Sequence, residues 1–516
     1  MARLPDVGHL SVTTIILASV AILSTVYYVY KRVSLYLVRR RMKLENGCQP
    51  LAKHYPHKDF LFGTDGLREV LKASKEHRLL ARAVNNFARL GNTFGNKLFF
   101  QRMIVSCEPQ NVKTVLSLKF KDYSLGLRDE ALGPLLGTGI FNSDGEAWAH
   151  SRALIRPNFV RDQVADLEAF ERHIQDLFKV LPRDGSTVDL QELFFRFTID
   201  SATEFLFGKG VGSLRQQATG EVTNEVAFAK AFNAAQTAIS MRSRLGLMRY
   251  VYSDKKGDEA IRFCHAYVDQ FVDEAVKYRE KLDVEKTASD RHEKYVFLHE
   301  LAKETRDKKR LRDELLNVLL AGRDTTASLL SNMWFVIARR PDIFAKLKRE
   351  VDDALHGAAP TYEQLRNLKY LKYCLNESLR LHPVVPANSR LAIRDTVLPV
   401  GGGPAQDAPL FVPKGTIFVY HPFSMHRRQD FFGPDADAFR PERWESLRPG
   451  WEYLPFNGGP RICLGQQYAL TEAGYVSVRL LQEFAKVESR DDQPWMESLS
   501  LTMCSWNGTK VALTPA

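Results

Sequence analysis

A single cysteine stands inside the glycine-rich run Phe456-Asn457-Gly458-Gly459-Pro460-Arg461-Ile462-Cys463-Leu464-Gly465. The thiolate form of cysteine is both nucleophile and metal ligand. No second Cys or His lies close by to complete a zinc site, which takes about four ligands. A lone thiolate suits the axial position of a haem iron instead. The glycines let the backbone turn sharply and leave amide N–H groups free to point at the sulfur, which lowers its basicity. Arg461, two residues before the cysteine, can reach a carboxylate such as a haem propionate in a charge-assisted pair. Taken alone, the run also fits a surface loop with an incidental cysteine.

A second constellation is Ala321-Gly322-Arg323-Asp324-Thr325-Thr326. It lies in the proline-free stretch from Lys308 to Arg340, closed by Pro341. That stretch predicts a helix of roughly 50 Å, at about 1.5 Å per residue, long enough to cross a domain. At its middle a hydroxyl and a carboxylate stand side by side, a pair able to hold and relay protons. Thr325 can also bond the carbonyl of Ala321, the routine behaviour of a helical threonine. Gly322 lies on roughly the same face and brings no side chain. Glu377 and Arg380 are three apart on one predicted helix and can pair. Trp148 and Arg152 are one helical turn apart.

The cysteine run resembles the cytochrome P450 signature F-x-x-G-x-R-x-C-x-G. Four more segments agree in the order that the family requires. Residues 321–326 resemble its oxygen-activation motif, and Glu377-Ser378-Leu379-Arg380 resembles its E-x-x-R helix. Phe439-Arg440-Pro441-Glu442-Arg443-Trp444 resembles its P-E-R segment, and Trp148-Ala149-His150-Ser151-Arg152 its W-x-x-x-R helix. The resemblance covers roughly residues 50 to 516. It implies a fold that is mainly α with small β-sheets, built around haem b. It implies that Cys463 ligates the iron, that Phe456 packs beside the sulfur and that Gly465 belongs to the cofactor loop. Trp148, Arg152, Arg390 and Arg461 would meet the haem propionates, although Arg390 read alone is also compatible with a solvated surface charge. Asp324 and Thr325 would manage protons. Glu377, Arg380 and Arg443 would be structural. The implied activity is monooxygenation with O₂. Electrons come from NADPH through the flavins of NADPH–cytochrome P450 reductase, with cytochrome b5 an optional second donor.

Within that family the chain looks most like the fungal microsomal group that hydroxylates alkanes and fatty acids. The resemblance rests on residues 456–472, on Leu135-Leu-Gly-Thr-Gly-Ile-Phe141 before Asp144-Gly-Glu146, and on residues 321–327. It implies oxidation at the end of a long chain. Segments 119–141, 316–325, 384–389 and 501–506 would then supply an apolar pocket. Arg128 in the first of these could meet a substrate carboxylate, but is expected to face solvent. Relatives also serve as tailoring hydroxylases in natural-product pathways. An oxygen-independent haem isomerase or a non-catalytic haem carrier is disfavoured, because neither needs the Asp324–Thr325 pair.

The chain has 516 residues, 45% hydrophobic, with a net charge of +11. Six cysteines (Cys48, Cys107, Cys264, Cys374, Cys463 and Cys504) show no paired spacing, which fits a reducing compartment. Leu10 to Tyr30 carries no charge and is long enough to span a bilayer. Lys31, Arg32, Arg39, Arg40, Arg41 and Lys43 follow. The reading is a signal anchor rather than a cleaved signal peptide: residues 1–9 lumenal, 10–30 spanning, 31–60 a basic juxtamembrane linker, and 61–516 a cytosolic catalytic domain at the endoplasmic reticulum. More than half of the net charge lies in the first 43 residues, so the basic balance points to membrane headgroups rather than nucleic acid. Two N-glycosylation patterns, at Asn376 and Asn507, would stay unmodified in the cytosol.

Overall fold

The computed structural model describes residues 12–59, 61–159, 167–219, 224–285 and 295–516. The expected lumenal residues 1–9 lie outside them. The chain is mainly helical. Its principal helices are α1 (Val12–Glu45), α2 (Arg128–Leu136), α3 (Gly145–Ile155), α4 (Leu190–Phe207), α5 (Asn224–Leu245), α6 (Lys255–Glu285), α7 (Lys308–Ile337), α8 (Lys369–Leu381) and α9 (Gln466–Glu483). Strands β1 (Thr93–Leu98), β2 (Gln101–Ser106), β3 (Tyr123–Ser124), β4 (Asn388–Ala392) and β7 (Ile417–Tyr420) form one sheet in the order β1-β2-β7-β4-β3. Only the β2–β7 pairing is parallel. Strands β5 (Thr396–Gly402) and β6 (Ala408–Val412) make a separate hairpin.

The predicted long helix is α7. Asp307 caps it, its carboxylate accepting from the Arg310 N–H at 3.1 Å. It ends just before Pro341, which opens the next helix. Its C-terminal half is buried all round: Leu330, Met333 and Trp334 pack with Phe194 and Phe197 of α4 and with Tyr475 and Leu480 of α9. A helix buried on every side needs apolar residues on every side. The cysteine loop leads directly into α9, so the packing of α9 against α7 positions that loop relative to residues 321–326.

The segment expected to be a linker is half helix. α1 continues without a break from the apolar run through the basic cluster to Glu45. The sequence contains no Gly or Pro between Gly8 and Gly47 to stop it. Within the apolar run Thr25 donates its hydroxyl to the Ala21 carbonyl at 2.8 Å, the usual back-bond of a helical threonine. Residues beyond Glu45 pair with the domain through bridges from Leu51 to Gly402 and from His54 to Gly95.

Glu377 is wholly buried on α8. Oε1 accepts from Arg380 Nη2 (2.9 Å), Arg443 Nε (2.8 Å) and the Arg440 amide (2.8 Å). Oε2 accepts from Arg380 Nε (2.9 Å) and from Trp444 Nε1 (3.0 Å), a partner that the sequence motif does not announce. Removing one member of a buried charged pair costs about 3–5 kcal/mol, whereas losing one neutral hydrogen bond costs about 1–3 kcal/mol. Arg380→Met should therefore destabilise the protein more than Trp444→Phe. Chemical denaturation of the two variants checks that order.

Candidate active site

The cysteine loop is held in its turn by specific bonds. The Cys463 amide donates to the Phe456 carbonyl at 3.0 Å. Asn457 sits at φ 64°. Its side chain accepts from the Tyr420 hydroxyl (3.0 Å) and donates to the Arg461 carbonyl (3.3 Å). Asparagine tolerates that backbone region because its amide can bond locally. Gly459, at φ 69°, is obligatory on two counts: its backbone is left-handed, and a Cβ there would collide with the Leu116 carbonyl oxygen.

Cys463 is exposed, yet it lies deep in the protein, and burial pushes its thiol up. The two facts together mean that the sulfur faces an internal opening. The Gly465 amide bonds the sulfur, and the positive Arg152 stands near it; both act against the burial effect and favour the thiolate. Phe456 is half-buried beside the α9 core. On α7, Thr325 and Ala321 are only partly covered, although Thr326 to Met333 are fully buried. Thr325 donates its hydroxyl to the Ala321 carbonyl at 2.6 Å. Leu320 and Leu464 share one apolar cluster, which ties this part of α7 to the cysteine loop.

Asp324 does not share Thr325's open face. It is 4% exposed and pairs with Arg323 at 3.1 Å. Gln236 of α5 lies near it from outside the helix and favours its charged form. Burial raises its carboxyl, and Arg323 opposes that shift. Gly322 does not stand clear beside Thr325 either: a Cβ built on it would touch Ala202 of α4 at 3.7 Å, an ordinary contact.

Four guanidiniums lie at or near the cysteine loop. Arg461 lies 4.5 Å from the Trp148 ring and pairs with Asp144 at 2.7 Å. Arg152 stands 5.9 Å from the same ring and donates to the Ile462 carbonyl at 3.0 Å. Arg390 is 4% exposed, which removes the surface reading. It donates to the Ser389 carbonyl at 2.7 Å, while its Nε has no partner among the described residues. Arg128 is not solvent-facing, contrary to expectation: it donates to Asn388 Oδ1 at 2.5 Å, and burial followed by the Arg390 charge pushes it down to about 10. Burial likewise lowers Arg461 to about 10, with Arg390 and Arg128 adding to the effect against Asp144. Arg128, Arg390 and Arg461 thus repel one another, with Asp144 the carboxylate at hand. A guest bearing carboxylates satisfies such a cluster, and a flat iron macrocycle with two propionates fits both the cluster and the inward-facing sulfur.

Sequence reasoning missed Arg128 as a member of this cluster, and missed Asp144 and Trp444. It also missed His426. That buried imidazole donates from Nδ1 to the Arg380 carbonyl (3.2 Å) and accepts at Nε2 from the Leu454 amide (2.9 Å). It links the Glu377 cluster to the start of the cysteine loop. Nothing in its spacing marks it.

The fold and site define a haem-thiolate enzyme. The cytochrome P450 family model matches residues 68–510. Among curated relatives, "Cytochrome P450 monooxygenase himC" of Aspergillus japonicus is 51% identical, over 93% of this chain and 86% of its own. "Cytochrome P450 monooxygenase fsdH" of Fusarium heterosporum is 48% identical, over 98% and 89%. "Cytochrome P450 52A13" of Debaryomyces hansenii is 43% identical, over 92% and 93%. The chain belongs to the cytochrome P450 family: it is an oxidoreductase that carries haem b on a cysteine thiolate and receives its electrons from a redox partner.

Burial drives His426 down to about 3 and His421 to about 4, and lowers His382 well below its ordinary value of 6.5. These side chains stay neutral when folded but take up protons near pH 6.5 when unfolded. The stability they contribute is full above pH 6.5 and is lost as the pH falls toward the folded values. Urea unfolding of the holoprotein should show declining stability from pH 6.5 to 4.5. His426→Gln should remove about 1.4 kcal/mol per pH unit of that decline.

Proposed function

We propose that the protein hydroxylates a long apolar chain at or near its terminal carbon. Cys463 is the iron ligand. Arg128, Arg152, Arg390 and Arg461, with Trp148, hold the propionate side, and Phe456 and Gly465 support the sulfur. Haem bound there supplies O₂ binding and cleavage and the insertion of oxygen into a C–H bond. Thr325 donates its hydroxyl to the Ala321 carbonyl, so at the partly covered face of α7 its oxygen would act as an acceptor that positions a proton-carrying water. Asp324 takes no direct part in the described conformation; it is a buried carboxyl one residue behind the threonine. The single observation that carries the assignment is a thiol deep in the protein yet still exposed, with the Gly465 amide and Arg152 at the sulfur and the mutually repelling Arg128, Arg390 and Arg461 beside the same loop.

The pocket side is apolar. Leu127, Phe141 and Val385, in the segments assigned to it, are uncovered by protein, and Leu501 and Leu320 are partly buried against the same apolar cluster. A narrow apolar pocket favours the chain end by position, against the intrinsic strength of primary C–H bonds. Relatives bearing the name cytochrome P450 52A, at 42–46% identity, support the group that the cysteine loop resembles. The second reading, a natural-product tailoring hydroxylase, draws on the higher identities to the Aspergillus and Fusarium monooxygenases. In both readings α1 anchors the protein in the endoplasmic reticulum membrane with the domain in the cytosol. NADPH–cytochrome P450 reductase donates the electrons, with cytochrome b5 as an auxiliary.

Cys463→Ala should abolish the thiolate Soret band of the reduced CO complex; a variant that keeps the band removes Cys463 as ligand. For the substrate, alkanes, free fatty acids and polycyclic compounds are compared by spectral titration and product analysis. Long chains should give the spin-state shift and a terminal product. A response confined to rigid ring systems decides for the tailoring reading.

A further inference from the structure

Asn332 is a polar residue in an apolar place. It is wholly buried in the C-terminal half of α7, about two turns beyond Thr325, in a stretch where Leu329, Leu330, Met333 and Trp334 are buried too. A buried amide costs free energy unless it is bonded, so its partners hold the reason for its presence. Its Nδ2 donates to the Met503 carbonyl at 3.0 Å. Its Oδ1 accepts from Trp495 Nε1, also at 3.0 Å. The indole N–H can only donate and the carbonyl can only accept, so the two partners fix which end of the amide faces which.

Both partners belong to a C-terminal hairpin and the residues that lead into it. Glu497–Leu499 pairs antiparallel with Met503–Ser505, and Ser500, Leu501 and Thr502 form the tip. The base is held away from α7, by the Leu80 amide donating to the Glu497 carboxylate at 2.9 Å. The tip is held by α7 itself. Ser328, three residues after Thr325 and four before Asn332, donates to the Thr502 hydroxyl at 3.4 Å. The Ser500 amide donates to the Thr502 carbonyl at 3.0 Å and closes the tip. Leu501 is partly buried against the apolar cluster that contains Leu316 and Leu319 of α7.

Met503 is bonded through both its backbone groups. Its carbonyl accepts from Asn332, and its amide donates to the Val384 carbonyl at 3.0 Å. One side chain thus ties α7 to both 384–389 and 501–506, two segments assigned to the pocket, although Asn332 belongs to neither. Thr325 and Asn332 are seven residues apart on one continuous helix, about 10 Å along its axis. The pocket wall is therefore spaced from Thr325 by a stretch of regular helix rather than by a run of loop.

We propose that Asn332 is a positioning residue: it sets where the tip at residues 500–503 lies along α7, and so which carbon of a long chain stops at the reacting oxygen. The inference rests on the chain-end hydroxylation given above. Position, not reactivity, selects a primary carbon. Fit to a pocket that differs by one methylene discriminates about 10- to 200-fold. A tip released from α7 gives up that discrimination, and the weaker C–H bonds of the neighbouring carbon then react.

The test uses the full-length holoprotein in microsomes with NADPH–cytochrome P450 reductase, and hexadecane and hexadecanoic acid as probes. Asn332→Leu removes both bonds at similar volume, and Asn332→Ser removes them and leaves room for water. Trp495→Phe removes the indole bond and keeps the grip on Met503. The ratio of terminal to next-carbon alcohol should fall about tenfold or more in both Asn332 variants and stay unchanged in Trp495→Phe. Hydrogen exchange at the Met503 amide should quicken in the Asn332 variants alone, which reads the tip without turnover. An unsubstituted protein that makes neither alcohol from either probe overturns the chain-end reading itself. An unchanged ratio in an Asn332 variant with an intact CO band overturns the positioning role and leaves that reading standing. Loss of the CO band in both Asn332 variants assigns the residue to folding, and an equal fall in Trp495→Phe assigns the effect to a loosened core; either result overturns the positioning role as well.

Discussion

One buried carboxylate organises the haem side of this protein. Glu377 has no contact with water, and a bare carboxylate in such a place is unstable by several kcal/mol. Five donors saturate it. The two guanidiniums among them have donors to spare, and these go to backbone carbonyls: His426, Ala436 and Ala438 for Arg380, and Phe432, Asp435 and Ala438 for Arg443. The chain from Gly433 to Gly458 has almost no regular helix or strand to satisfy its own carbonyls. The ion cluster does part of that work and so shapes the segment. His426 extends it by one step, from the Arg380 carbonyl to the Leu454 amide at the entry to the cysteine loop. The constraint that keeps the sulfur in place thus begins at a glutamate that never meets the cofactor.

The opposite electrostatic situation holds around the opening. There the positive charges outnumber their partners. Arg128 and Arg390 share the Asn388 side chain, Arg390 keeps an unbonded Nε, and Asp144 pairs only with Arg461 among them. Such an arrangement is costly until an anion arrives, so the binding of a dianionic cofactor stabilises the fold by mass action as well as equipping it for chemistry. The two clusters divide the labour: one is closed and structural, the other is open and specific for a guest.

The legible parts of the molecule were those carried by spacing along one element. The length and end of α7 and the Glu377–Arg380 pair are local patterns, and the structure contains both; the cysteine run is a local pattern too, and it folds as a tight turn leading into α9. What spacing could not show was the partner from elsewhere in the chain. Arg128 looked like a surface residue because nothing near it in sequence reveals Asn388 or Arg390 across the sheet. Gly322 was read for the space it leaves beside Thr325, yet α4 crosses at that point and uses the same bareness. Residues 31–60 looked like a linker because charge density and two prolines dominate them. The prolines begin only at Pro50, and the basic residues before it are good helix formers, so α1 runs on to Glu45.

The two sides of α7 explain why a carboxylate and a hydroxyl that are adjacent in sequence stand in different surroundings. Successive helical residues point about 100° apart. Thr325 therefore stays partly uncovered while Asp324 turns toward Gln236 of α5 and is paired by its own neighbour Arg323. Burial keeps that carboxyl costly to ionise, and Arg323 keeps it costly to neutralise. Asp324 thus stands one residue from the Thr325 hydroxyl but on another side of the helix, so any exchange between them would need a side-chain rotation or a bridging water. The price of that proximity is that Thr325 spends its own proton on the Ala321 carbonyl, so its oxygen is left as the acceptor at the open face.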